Sequence, residues 1–178
     1  MAAEISAFPK RAPRDLGPDR RPGVRPDDHL VLDDYLPYRL SVTSNAVSRL
    51  IARAYEDRFG LTIPQWRLIA VLAQDGAMTP GAAVTRTAMD KVTISRAAQA
   101  LVRRRLVARG AHEADGRSHR LSLTQEGVRL HTEIAPLALA YEAALLSGMT
   151  PGEVAAIKLL LKRLETAATR LSGDSTDG

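Results

Sequence analysis

The sequence contains no cysteine. Disulfide frameworks, thiolate metal sites and cysteine nucleophiles are excluded together. Aromatic residues make up only 4% of the chain, with a single tryptophan. That is too few for the stacking platforms that hold single-stranded nucleic acid. No apolar run approaches the roughly 20 residues needed to cross a bilayer. The opening residues, MAAEISAFPKRAPRD, lack the apolar segment of a secretory signal. A soluble, cytoplasmic protein with no membrane contact is expected. His29, His112, His119 and His131 show no metal-ligand spacing. No nucleophile–base constellation and no phosphate loop stands out, so neither a metal, nor a cofactor, nor an enzyme is expected.

What is present is a core and a concentrated charge. The 178 residues are 45% hydrophobic, enough for one domain or for two small lobes that share a core. The whole chain carries a formal +5. Residues 86–120 alone hold nine Lys and Arg against three Asp and Glu, a local +6. A local excess of this kind is the footprint of a surface that lies along phosphates.

In chain order, residues 1–28 mix acidic and basic residues with many prolines and show no helical period. They read as a flexible arm. A long helical pattern follows over residues 33–59, with Leu40, Val47, Leu50, Ile51, Ala54 and Phe59 at helical spacing and Gly60 as its stop. Thr62 and Gln65 form a capping-box pattern ahead of a second helix, QWRLIAVLAQ. Thr79-Pro80 starts a third, short helix of small residues. Asp90 is a candidate N-cap for a fourth helix running to about Arg104. Its inner face is Ile94, Ala97, Ala98, Leu101 and Val102, and its polar residues fall largely on the other face. Two helices joined by a short turn are helix-turn-helix geometry. LVARG and HRLSL then read as two strands, with Asp115-Gly116 as the hairpin-turn signal between them. Thr124 caps a helix through about Leu146, and Thr150 with Glu153 caps the last. Both are too apolar to stand as free arms, and pairing with the first helix and a second chain would bury them. The predicted fold class is mainly α with a small β-hairpin wing.

With MDKVTISRAAQALVRRRLV, ADGRSHRLSLTQEG and this order of elements, residues 33–171 resemble the MarR family of bacterial transcription regulators. LDDYLPYRLSVTSNAVSRLIARAYEDRFGLTIPQWR further resembles a proteobacterial subgroup that includes regulators of aromatic-acid metabolism. The resemblance implies a winged helix-turn-helix plus a helical dimerisation region. Its expected divisions are an arm at 1–28, a dimerisation helix at 29–60, the DNA-binding domain at 61–123, dimerisation helices at 124–172 and a tail at 173–178. It implies a homodimer on double-stranded DNA, most simply a repressor of a pseudo-palindromic operator. Lys91, Thr93, Ser95, Arg96 and Gln99 would face the major groove, and Val92 would touch a thymine methyl. Arg117, on the wing, would enter the adjacent minor groove. Thr79 and Arg86 would hold phosphates. Arg103 and Arg120 are further DNA candidates, although Arg120 could instead pair with Glu113 across the hairpin.

The resemblance also implies a small-molecule effector, with Tyr38, Arg39, Ser44, Trp66 and Arg67 lining its crevice. An arginine there would select a small aromatic carboxylate, or its CoA thioester, by paired hydrogen bonds. The alternative is that Trp66 belongs to the core, that the arginines are surface or intersubunit charges, and that the regulator is constitutive or architectural. Two positions depart from the family pattern. Arg105 stands where a glycine is usual, so either it adopts a left-handed conformation at some cost or the turn differs. Gly116 replaces the first arginine of the usual D-R-R wing tip.

Overall fold

The structure, a computed structural model, describes residues 30–112 and 115–173, and the side chains among them except at 53, 54, 111–118 and 173. The expected arm and nearly all of the expected tail lie outside the described residues. A 3-10 turn at Leu32–Asp34 precedes α1 (Leu36–Phe59). Then come α2 (Ile63–Asp75), α3 (Pro80–Thr87), α4 (Lys91–Arg103), β1 (Val107–His112), β2 (Asp115–Leu123), α5 (Gln125–Leu145) and α6 (Pro151–Gly173). Among the described residues no helix is long and apolar enough to cross a membrane. The chain divides into two units, Leu40–Leu145 and a second made of Met1–Arg39 with Leu146–Gly178.

Short-range signals set where the helices begin. The Thr62 N–H donates to Gln65 Oε1 at 3.1 Å, half of a capping box at the start of α2. Thr79 Oγ1 accepts from the Ala82 N–H at 3.2 Å, with Pro80 in the first turn where its missing N–H does no harm. Thr124 Oγ1 accepts from the Gly127 N–H at 3.0 Å and starts α5. At α6 the Thr150 N–H donates to Glu153 Oε2 at 2.7 Å and the Glu153 N–H returns to Thr150 Oγ1 at 3.3 Å. The Thr150 N–H first, and next its hydroxyl, which donates to the same oxygen at 2.8 Å, hold the Glu153 carboxyl below its ordinary range.

The core lies within the Leu40–Leu145 unit. Leu61, Leu68, Ile69 and Leu72 from the α2 region meet Ala83 of α3, Ile94, Ala97, Ala98 and Leu101 of α4, Leu121 of β2 and Ile134 of α5, all buried. Helix α1 contributes Tyr55, which the apolar period had not singled out. Burial pushes the Tyr55 phenol up, and the neighbouring Tyr141 adds to it. Leu40 and Leu50, which share the helical spacing of α1, are exposed at 37% and 47%. Periodicity marks an apolar face but not what covers it.

Strands β1 and β2 pair antiparallel from Val107–Leu123 to Ala111–His119. The register then jumps, and His112 pairs with Asp115. Asp115-Gly116, expected as the hairpin turn, therefore begins β2, and residues 116–118 are inserted between two pairs as a bulge. The residues between the strands lie outside the described residues. A third segment joins the wing: the Met78 N–H donates to the Leu121 carbonyl at 3.0 Å and the Leu121 N–H to the Met78 carbonyl at 2.7 Å.

Candidate nucleic-acid interface

Helices α3 and α4 are joined by Ala88, Met89 and Asp90. Ala88 sits in the left-handed region at φ 53°, an uncommon position for a residue with a Cβ, and turns the chain sharply. Asp90 then caps α4 twice. Oδ1 accepts from the Thr93 N–H at 2.8 Å and Oδ2 from the Thr93 hydroxyl at 2.6 Å. The Thr93 hydroxyl first, and its N–H next, hold the Asp90 carboxyl below the ordinary range. The cap stays ionised and aligned with the positive end of the α4 dipole.

Helix α4 is strongly two-faced. Ile94, Ala97, Ala98 and Leu101 are buried. Lys91, Val92, Ser95, Arg96, Gln99 and Arg103 are exposed, and Val92 shows 57% of its surface. Lys91, Ser95, Gln99 and Arg103 recur at every fourth residue and so form one row along the outer face. Within it Gln99 Nε2 donates to Ser95 Oγ at 3.4 Å. Thr93 is half-buried with its hydroxyl engaged by Asp90. The Thr79 hydroxyl accepts from its own helix and keeps its proton for another acceptor. Arg86 is not free: its Nε donates to Asp75 Oδ2 at 2.6 Å, which steers the guanidinium from the end of α2. Arg120 is exposed and donates to the Ala77 carbonyl, bracing the loop before α3. Its predicted alternative partner, Glu113, is outside the described residues. Arg117 falls on β2, and its side chain is also outside the described residues.

Beside this face lies a cleft of about 280 Å³. Val84, Ile94 and Leu121 give it apolar walls, and Lys91 and Arg109 are the charged residues lining it. Neither Arg109 as a lining residue nor the cleft itself is legible in the sequence, because both depend on β1 meeting α3 and α4 in space.

The turn after α4 explains the departure at Arg105. The Arg105 N–H bonds the Val102 carbonyl at 2.9 Å and the Leu106 N–H bonds the Leu101 carbonyl at 2.9 Å. This is a Schellman ending, which needs a left-handed residue at its penultimate position. Arg105 occupies it at φ 58°, so of the two alternatives the turn is kept and the arginine is left-handed. Gly127 has a different reason for being glycine. A Cβ there would collide with the carbonyl oxygen of Leu106 and lie 3.2 Å from Leu123 Cδ2. The LSLT-x-x-G signature is thus a contact rule for seating α5 on the α4–β1 corner.

The predicted effector residues are dispersed through the sequence order of the two units. Tyr38 and Arg39 are exposed on the first turns of α1. Ser44 and Arg67 are exposed in the other unit. Trp66 is half-buried, its ring 5.1 Å from Tyr55 in a tilted contact and 5.6 Å from His131 in a stacked one.

A family model described as the MarR family matches residues 59–118. The chain has the winged helix-turn-helix fold of MarR-family DNA-binding regulators. Its structure is similar to that of a MarR family transcriptional regulator from Silicibacter pomeroyi, with 28% identity, a TM-score of 0.70, and coverage of 84% of this chain and 97% of that one. It is similar to Bordetella bronchiseptica BpsR, a protein whose DNA binding is regulated by 6-hydroxynicotinic acid, with 25% identity, a TM-score of 0.71, and coverage of 77% and 97%. A MarR/EmrR family regulator from Acinetobacter shares the fold at 23% identity and a TM-score of 0.74, over 79% of this chain and 99% of that one. No curated protein matches the sequence. The MarR family match spans the end of α1 through most of the hairpin, and so includes the whole of α4 and its cap.

Proposed function

We propose that this chain is a homodimeric, sequence-specific DNA-binding regulator, and that it acts as a repressor released by a small aromatic or phenolic carboxylate or its CoA thioester. One observation carries the DNA reading. The outer face of α4 gathers Lys91, Ser95, Arg96, Gln99 and Arg103 in exposed positions on a helix fixed by a capped, closely packed turn. In this reading Lys91, Val92, Thr93, Ser95, Arg96 and Gln99 meet base edges. Thr79, Arg86, Arg103 and Arg120 meet phosphates, and Arg117 enters the minor groove from the wing.

The homodimer reading is supported by apolar side chains left open to water. Leu36, Leu40, Val42 and Leu50 of α1 and Leu159, Leu160, Leu161 and Leu164 of α6 are each exposed by more than a third. A second copy would bury them and set two α4 helices about 34 Å apart, one turn of the duplex. The effector reading draws on the resemblance and on the ligand named for BpsR. It assigns Tyr38, Arg39, Ser44, Trp66 and Arg67 to the crevice. One observation favours the alternative, a constitutive regulator: the Trp66 ring already packs against Tyr55 and His131.

The test is binding to the DNA upstream of the protein's own gene at several salt concentrations, with and without a panel of aromatic acids and their CoA thioesters. Tight binding that weakens steeply with salt and is abolished by one compound is expected. Tight binding indifferent to the whole panel would leave the constitutive reading. Absence of specific binding to this or any selected duplex would contradict the proposal.

A further inference from the structure

Three arginines in succession, Arg103, Arg104 and Arg105, close the recognition helix. By sequence each could hold a phosphate or simply be solvated, but the structure separates them. Arg104 turns back: its Nη1 donates to the Gly60 carbonyl at 2.8 Å and its Nη2 to the Phe59 carbonyl at 2.9 Å. Those carbonyls end α1, where no further turn of helix can supply them with donors. Gly60 is left-handed at φ 58°, its N–H bonded to the Glu56 carbonyl at 2.9 Å. A guanidinium at the negative end of a helix dipole makes charge-assisted bonds. Two N–H groups on two successive carbonyls use the planar fork of arginine, which an ammonium cannot reproduce.

Arg104 is also the C-cap of α4, with its own N–H on the Ala100 carbonyl at 3.1 Å. The next two residues are gripped by α5. The Thr124 hydroxyl donates to the Arg105 carbonyl at 2.6 Å, and the Thr124 N–H donates to the Leu106 carbonyl at 3.1 Å. The C-terminal end of the recognition helix is therefore pinned to α1 through Arg104 and to α5 through Thr124. A displacement of the last turn of α1 reaches α4 at this joint.

We infer that Arg104 is a positioning residue for DNA recognition: it locks the end of α1 to the recognition helix, and it does so without contacting phosphate. The inference rests on the DNA-binding reading above. The test uses the full-length wild type, Arg104→Ala, Arg104→Lys and Arg103→Ala on a duplex that the wild type selects from a random pool, titrated at a series of salt concentrations. Amide hydrogen exchange on the free proteins is the second readout.

Arg104→Ala should weaken binding about tenfold while the slope of log affinity against log salt stays that of the wild type. Exchange at the Gly60, Leu61, Arg105 and Leu106 amides should quicken without DNA present. Arg104→Lys should not restore affinity, because charge alone does not rebuild the fork. If Arg104→Ala fails to fold, Arg104→Lys decides the matter, since a phosphate contact would be largely kept by lysine and a fork would not. A slope shallower by about 0.9 would mean a direct phosphate contact and would overturn the inference. So would unchanged affinity, or unchanged exchange. A wild type that selects no duplex would bring down the DNA-binding reading and this inference with it, and it is told apart by the failure of the parent protein.

Discussion

Two apolar regions of this chain have opposite fates. Between α2 and α5, Leu68, Ile69, Ile94, Leu101, Leu121 and Ile134 are each exposed by 1% or less. Along α6, Ile157, Leu159, Leu160, Leu161, Leu164 and Leu171 are exposed by 38% to 67%, and among the described residues of α6 none is buried. Similar side chains thus build a closed core in one region and an open stripe in the other. The winged unit closes its core with its own side chains, whereas α6 calls for another surface. A contiguous apolar face of this size is seldom left to water. A second copy of the chain is the covering that the proposed function supplies.

The largest effect is expected in the closed core. Leu68→Ala should lower unfolding free energy by about 2–5 kcal/mol, from lost burial and the cavity left behind, measured by urea denaturation. On the α6 side, Leu160→Asp with Leu164→Asp should act on association instead. Losing the burial of two leucines removes about 3 kcal/mol or more, roughly a hundredfold in dimer dissociation constant. Sedimentation velocity should show monomers with a helical spectrum close to that of the wild type. If these changes unfold α2–α5 rather than separate the copies, the division between closed core and open stripe is wrong.

Smaller effects sharpen the account of how the winged unit closes. Gly127→Ala drives a Cβ into the Leu106 carbonyl. Moving α5 off the α4–β1 corner should destabilise by about 1–3 kcal/mol, with the urea midpoint as the measure. Arg105→Gly relieves a left-handed residue at φ 58°. It should leave stability unchanged or raise it by up to about 1 kcal/mol, because the added freedom of the unfolded chain offsets part of the relief. A large loss from Arg105→Gly would mean that the arginine side chain makes a contact the fold depends on.

What could be read in the sequence was mainly what is local. Thr62, Thr79, Asp90, Thr124 and Thr150 announce their helices because a cap acts within three residues. The buried row of α4 was legible for the same reason, since its period is written in consecutive residues. The missing glycine at Arg105 posed a choice between a left-handed arginine and a different turn, and the structure shows the former. Contacts between distant segments were not legible. Arg104 reaches carbonyls more than forty residues away, and Met78 pairs with Leu121 across the same kind of gap. Asp115-Gly116 carried a turn signal that the register jump of β2 absorbs. Leu40 and Leu50 had the right period, yet both are exposed, because a period marks a face and not its partner.

The proposed function requires that the outer face of α4 read DNA. The most direct measurement compares wild type, Arg96→Ala and Arg117→Ala on one selected duplex at fixed salt, with the folded state of each confirmed by its helical spectrum. Arg96→Ala should weaken binding by about 1–3 kcal/mol and relax the sequence preference at one position in each half-site. Arg117→Ala should weaken it as well, most on duplexes with a narrow minor groove beside the half-site. Wild-type affinity in both variants would contradict the central claim, however well the fold matches its relatives.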